Sequence, residues 1–218
     1  MSDLHGYLPE IKPCELVLLA GDLVDLYCQS SKSKLFKWYV FSFKEWANKL
    51  PCDKVIFIAG NHEVGLQGSE NILKSHFKDK VIFLHNENIR YLSRDGVEYN
   101  IFGTPYCRIF GNWAYNESNS NLMELYSKAD KDTNIILSHD APYGVSDICL
   151  DPTFKQHEHL GNEPLRDIIE VIKPQYCFHG HLHSSNHKCE MLNETKVYNC
   201  SILNENYNPV YKPLYIKI

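Results

Sequence analysis

Acidic, amide and imidazole side chains recur at the ends of short apolar runs in this chain, in a pattern that suits metal-ion chemistry. Asp3 and His5 are separated by a single residue. Asp22 and Asp25 follow the run Leu16 to Ala20, and Asn61 and His62 follow Val55 to Ala59. His139 follows Ile135 to Leu137, and His181 and His183 follow Tyr176 to Phe178. Each run is rich in Val, Ile, Leu or Phe and stops at turn residues, as buried strands do. Loops beyond the carboxyl ends of parallel strands converge on one crevice, so strands sharing a sheet would gather these groups. Asp, Asn and His without Cys suit a borderline divalent ion such as Mn, Fe or Zn rather than a structural thiolate zinc. Asp3, His5, Asp22, Asn61, His139, His181 and His183 are too many ligands for one ion and would serve two. Two ions about 3.5–4 Å apart clamp the attacking and leaving oxygens of a phosphoester displacement.

Positioning these residues requires a particular set of elements. Between the apolar runs, Lys34 to Leu50 carries Leu35, Trp38, Tyr39, Phe43, Trp46, Ala47 and Leu50 near helical spacing. Ser69 to Phe77 and Glu163 to Ile172 are further helix candidates, the latter with Pro164 at its start. Val81 to Leu84, Ile89 to Leu92 and Val97 to Phe102, separated by polar turns, read as a β-meander. Ser184 to Ile218 reads as further strands. Strands alternating with helices, plus meander strands, imply an α/β domain with layered sheets. No repeat or internal boundary is visible, so residues 1–218 are read as a single domain.

Composition removes several alternatives. The net charge of −5 gives no global attraction to nucleic acid or anionic membranes, so long nucleic acid is not an expected partner. No apolar run approaches the length of a membrane span, and no signal peptide is evident. The eight cysteines are scattered without a Cys-x-x-Cys pair. They read as reduced small hydrophobes of a cytoplasmic protein, with a Cys189–Cys200 disulfide as the alternative.

Five segments together resemble the signature of the calcineurin-like metallophosphoesterases. They are Ser2-Asp3-Leu4-His5-Gly6, Gly21-Asp22-Leu23-Val24-Asp25, Gly60-Asn61-His62-Glu63, Ser138-His139 and Gly180-His181-Leu182-His183. The resemblance implies a four-layer α/β/β/α sandwich of two mixed sheets flanked by helices. It implies one metal held by Asp3, His5, Asp22 and His183, and a second held by Asp22, Asn61, His139 and His181, with Asp22 bridging. His62 matches the histidine that contacts phosphate and protonates the leaving oxygen. Asn61 would help to orient the phosphate, and Asp25 and Glu63 match outer positions, Asp25 being counted with His62 and Asn61 among the catalytic residues. Two divalent ions are implied, Mn favoured over Fe or Zn, with in-line attack by a bridging hydroxide. Gly103-Thr104-Pro105-Tyr106, Trp113-Ala114-Tyr115-Asn116 and Gly161-Asn162-Glu163-Pro164-Leu165 resemble the small metallophosphoesterase-domain-containing branch. That branch implies a phosphodiesterase acting on a nucleotide or small phosphoester.

Other readings stand beside this one. A phosphomonoesterase or protein phosphatase is the enzymic alternative, although Leu26-Tyr27 follows Asp25 where protein phosphatases have Arg-Gly. A non-catalytic scaffold that binds protein is the other. Trp113, Tyr106 and Tyr143 are candidates for stacking on a base, and His157 and His159 for lining the mouth. The pattern departs from the family at its first motif, where only Met1 and Ser2 precede Asp3 and an apolar strand is expected. Truncation upstream, another segment in that place, or a loosely held first metal would each account for it. A loose Asp3 and His5 would predict weak first-site binding.

Overall fold

The computed structural model describes residues 1–149 and 158–218; His157 lies outside them. Along the chain the strands are β1 (Leu16–Ala20), β2 (Lys54–Ile58), β3 (Val81–Phe83), β4 (Glu87–Leu92), β5 (Glu98–Thr104), β6 (Cys107–Arg108), β7 (Asn116–Glu117), β8 (Ile135–Ser138), β9 (Tyr176–His179), β10 (Glu190–Leu192) and β11 (Thr195–Asn199). The helices are α1 (Lys32–Lys37), α2 (Lys44–Lys49), α3 (Glu70–Ser75), α4 (Asn119–Tyr126) and α5 (Glu163–Ile172). A π-helical stretch, Trp38–Phe43, joins α1 to α2, so the periodic segment read as one helix is one helical run with a widened middle.

Two sheets face each other. One holds β1, β2 and β3, all parallel. The other runs β10-β11-β9-β8-β5-β4, with β11, β9, β8 and β5 parallel and antiparallel strands at both edges. Only the second sheet is mixed, which corrects the expectation of two. Ala20, Ile56 and Ile58 pack against Ile101, Ile135, Leu137 and Phe178 between the sheets. Tyr39, Phe43 and Phe77 cover the other face of the first sheet through Phe57. Leu122, Tyr126, Leu165 and Ile169 of α4 and α5 cover the outer face of the second. Burial on both faces explains why β1, β2, β8 and β9 read as continuous apolar runs rather than alternating ones. Among the described residues no helix is long and apolar enough to cross a membrane, and no two cysteines are joined by a disulfide.

Two helices, α4 and α5, are capped by side chains at their starts. Asn162 caps α5 by accepting from Leu165 N at 3.0 Å, Pro164 lies in the first turn, and Lys173 ends the helix with a positive φ. Ser118 caps α4 in the same way. The meander is only half present. β4 and β5 form the expected hairpin, but β3 joins β2 in the other sheet. The chain changes sheets at His85-Asn86, where Asn86 adopts φ 53°, and Val81 and Phe83 bury into the aromatic core around Phe57. Of the tail, only β10 and β11 are strands.

The short first motif is firmly held. Met1 O accepts from Ala20 N at 2.9 Å, and the Met1 ammonium donates to Leu18 O. On the other side Ser2 N donates to Cys200 O and Ile202 N to Ser2 O, in a parallel bridge between Ser2 and Ser201. Two residues therefore sit between β1 and the segment following β11, and they deliver Asp3 to the sheet edge. Beyond Met1 lies an apolar cavity of about 340 Å³, lined by Leu16, Leu18, Leu137, Phe178, Leu214 and Ile216 among others.

Candidate metal centre

All seven predicted ligands meet at the carboxyl ends of β1, β2, β8 and β9. Asp22 stands at the middle. Its Oδ2 lies 3.3 Å from His139 Nε2 and 3.9 Å from both His5 Nε2 and His62 Nε2. Its Oδ1 accepts the His62 N–H at 2.8 Å. On one flank, Asp3, His5 and His183 bring their ligand atoms within 4.8 Å of one another, with His183 Nε2 3.2 Å from Asp3 Oδ1. On the other, His139 Nε2 lies 2.9 Å from Asn61 Oδ1, and the His139 and His181 rings are 5.2 Å apart.

The ring orientations favour ligation through one nitrogen. His139 Nδ1 donates to Ala20 O at 2.8 Å and His183 Nδ1 to Asn204 O at 3.0 Å, a tautomer assigned from these partners. That turns each Nε2 toward a carboxylate, Asp22 for His139 and Asp3 for His183, and makes it the nitrogen that would bind a metal once its proton is lost. His5 provides the sharpest test of fit. Both of its ring nitrogens are buried and have no hydrogen-bond partner. Buried polar nitrogens are rarely left unpaired, and a cation between His5, Asp3 and Asp22 would satisfy one of them. The donor set fits two divalent ions.

The backbone here is bent to suit. Asp3, His5, Asp22 and His181 have φ of 54°, 41°, 53° and 67°. This left-handed region is uncommon for any residue but glycine, and Asn, Asp and His enter it most often among the rest. Among the glycines with no room for a side chain, one at Gly60 would collide with Asp22 and His139, and one at Gly180 with Ser2 and Asp3.

Charges within the cluster pull against burial. Burial disfavours charge on His139, yet the Asp22 carboxylate holds its pKa up at about 10. Burial acts likewise on His183, and Asp3 raises it to about 9. In turn His139 holds Asp22, and His183 holds Asp3, below the usual carboxylate range against burial. Burial lowers His5 to about 4, and burial with His139 lowers His181 to about 3. Metal entry must therefore displace protons from His139 and His183 at neutral pH, whereas His5 and His181 are already neutral. Affinity should rise about tenfold per pH unit for each displaced proton between pH 6 and 8. Metal titration in weakly buffered solution at pH 7 should release close to two protons per pair of ions from these imidazoles, beside any that bound water gives up.

Several residues take different parts from those expected. The Asp25 Oδ1 accepts the Tyr27 N–H at 2.9 Å and caps a turn. The partner of His62 Nδ1 is Gln29 Oε1, at 2.6 Å, a residue that no motif singles out. Glu63 is fully buried and is the hub of the two ligand loops. Its Oε1 accepts from Leu23 N, Val24 N and Tyr39 Oη, and its Oε2 from Asp22 N and Gly60 N. His179 is buried at the end of β9. Cys107 Sγ lies within 4.8 Å of nitrogens of His139 and His181, but burial, Asp140 and Asp22 raise its pKa well above the ordinary value, so it packs there as a neutral thiol.

Of the aromatic candidates, Tyr106 is turned toward His85 and Tyr115, and Tyr143 toward His159. His159 itself pairs with Asp147 at 2.7 Å. Trp113 alone of the three reaches the centre, its ring 4.4 Å from that of His62. Tyr207 and Phe110, which no motif marks, complete the surround. Tyr207 meets His5 edge-on at 4.9 Å, and Phe110 lies 4.7 Å from His181.

Comparison with known proteins agrees with this geometry. The profile of the calcineurin-like phosphoesterases matches residues 1–185. The human metallophosphoesterase domain-containing protein 1 is 28% identical over 240 residues, covering 100% of this chain and 69% of its own. A UPF0046 protein of Caenorhabditis elegans is 27% identical over 193 residues, covering 84% of this chain and 62% of its own; the chain thus spans under two thirds of that relative. The solved structure of a phosphopantetheinyl hydrolase from Mycobacterium tuberculosis superposes with a TM-score of 0.56 at 12% identity, covering 95% of this chain and 89% of the other. That likeness extends to the fold. With its profile matched over most of its length and the motif residues gathered at one sheet edge, the chain belongs to the calcineurin-like phosphoesterase family.

Proposed function

We propose that this protein is a binuclear metal-dependent phosphoester hydrolase, acting as a phosphodiesterase on a nucleotide or other small phosphoester. The observation that carries the reading is the Asp22 carboxylate, set between two imidazole-rich flanks with His62 fixed beside it. Asp3, His5, Asp22 and His183 would hold one ion, and Asp22, Asn61, His139 and His181 the other. Manganese is the ion we favour. When bound, such a pair supplies a nucleophilic hydroxide at neutral pH and offsets charge on the phosphoryl oxygens.

The chain's own groups do the rest. Gln29 holds the Nδ1 side of His62, which leaves Nε2 facing the centre beside Asp22. In its doubly protonated form His62 gives the Nε2 proton to the ester oxygen as the P–O bond breaks. Asn61 is fixed through its backbone carbonyl, which accepts from Ala114 N, and its side-chain amide stands beside His139, where its N–H groups can orient a phosphoryl oxygen. The scattered cysteines, without a Cys-x-x-Cys pair, support our placing the protein in the cytoplasm.

The test is turnover of bis-p-nitrophenyl phosphate, p-nitrophenyl phosphate and 2′,3′- and 3′,5′-cyclic nucleotides by manganese-loaded protein. The diesters should be cleaved faster than the monoester. His62→Ala should lower the rate on the cyclic nucleotides about 10²–10⁴-fold, and less on nitrophenyl esters, whose leaving oxygen needs no proton. Gln29→Leu should show the same leaving-group dependence at about a tenfold loss. No turnover of any ester, or a His62→Ala protein as active as the parent, would defeat the reading.

A further inference from the structure

We propose that Trp113 and Tyr207 form a ring-binding subsite beside His62, which selects phosphoesters whose leaving group carries a flat aromatic ring; this rests on the hydrolase reading above. The proposal starts from where the leaving group must lie. The oxygen that departs is the one facing His62 Nε2, so the group attached to it extends past the His62 ring. Two aromatic side chains flank that position. The Trp113 ring lies 4.4 Å from the His62 ring, tilted by 33°, and Tyr207 stands 6.4 Å from it, nearly perpendicular. Ring pairs attract over centroid separations of about 4.5–7 Å, so a ring entering beside His62 would come within range of both.

The two rings come from loops distant in sequence, and each loop is tied to a predicted ligand. The Trp113 loop is anchored by Ala114 N donating to Asn61 O at 3.2 Å, and by Asn116 Nδ2 donating to Trp113 O and Phe110 O. The Tyr207 turn is clasped by Asn204, whose Oδ1 accepts from Asn206 N and Asn208 N while its carbonyl holds His183. Tyr207 also takes φ 58°, a conformation in which a bulky side chain is strained and glycine is not. Strain of that kind gathers at ligand-contacting positions. In return the ring gains an edge-on contact with His5 at 4.9 Å and with His183 at 5.8 Å, and it keeps 42% of its surface open, as Trp113 keeps 37%. Both rings are thus locked in place at the mouth with a face or edge still available. A nucleobase or a phenyl ring fits this chemistry; a sugar or alkyl group forgoes the stacking.

Phenylphosphonate and methylphosphonate differ in the ring and share the phosphonyl head. Both are titrated calorimetrically into manganese-loaded protein, independently of turnover. Phenylphosphonate should bind the parent about tenfold more tightly or better. Trp113→Ala and Tyr207→Leu should each remove most of that preference with methylphosphonate affinity within twofold of the parent, and Trp113→Phe should restore it. Absence of preference in the parent, survival of the preference in the double variant, or equal loss for both ligands overturns the subsite. A parent that cleaves no ester but prefers phenylphosphonate, with the preference lost in both variants, defeats the hydrolase reading and leaves the ring site standing.

Discussion

Asp22→Asn should reduce bound metal from two ions per chain to one or none, and hydrolysis of bis-p-nitrophenyl phosphate by at least about 10³-fold. The substitution is nearly isosteric, and the His62 N–H can still donate to the amide oxygen that replaces Oδ1. What is lost is the charge at the one atom that faces His139, His5 and His62 together. A bridging carboxylate offsets the repulsion between neighbouring dications; an amide offers one neutral donor oxygen to one of them. Metal-assisted stabilisation of a developing phosphoryl charge is worth several kcal/mol, and each ~1.4 kcal/mol is a factor of ten. Metal analysis after dialysis, alongside kinetics at saturating manganese, measures both outcomes. Two tightly held ions in the variant would show that Asp22 does not bridge. The same analysis of the parent addresses Asp3: its backbone and Ser201 contacts lead us to expect both ions to be retained.

Glu63→Ala should destabilise the protein by about 4 kcal/mol or more and weaken metal binding with it. Five donors converge on this carboxylate, four of them backbone N–H groups from the two loops that carry Asp22 and Asn61. Alanine leaves them buried without an acceptor, and each unpaired buried donor costs about 1–3 kcal/mol, less whatever water enters. For a chain of this size that corresponds to a fall of about 10 °C or more in Tm. Glu63→Gln is the informative companion. Its amide nitrogen would have to face either the two donors at Oε2 or the three at Oε1, so it should lose about half as much. Thermal unfolding of both variants tests the ranking; a Glu63→Ala protein within 2 °C of the parent would overturn it.

Most of the framework of the centre was legible because metal ligands in an α/β fold sit at strand ends, and strand ends are marked by where apolar runs stop. Leu16–Ala20 and Glu163–Ile172 have the predicted bounds, and β2, β8 and β9 lie within a residue of them. Residues that act through another side chain left no such mark. Gln29 lies in the loop between β1 and α1, and nothing in its neighbours shows that the loop folds back on His62. Tyr207 comes from a tail that reads as strands, and its turn depends on the Asn204 side chain and on a backbone angle without a sequence signal. Asp25 was assigned by its motif position, but its carboxylate is engaged two residues on, at Tyr27. β3 was grouped with β4 and β5 because all three are short apolar runs. Which sheet each joins depends on the aromatic core around Phe57, a contact remote in sequence.

The left-handed backbone at His5 and His181 carries a cost for evolution and for engineering. A positive φ costs a non-glycine residue about 1–2 kcal/mol, only partly recovered by the entropy that glycine forfeits. Selection on thermal resistance alone would therefore drift toward glycine at these two positions, and each gain in heat tolerance would remove one of the imidazoles proposed to hold metal. Stabilised variants of this scaffold should be sought with both histidines held fixed.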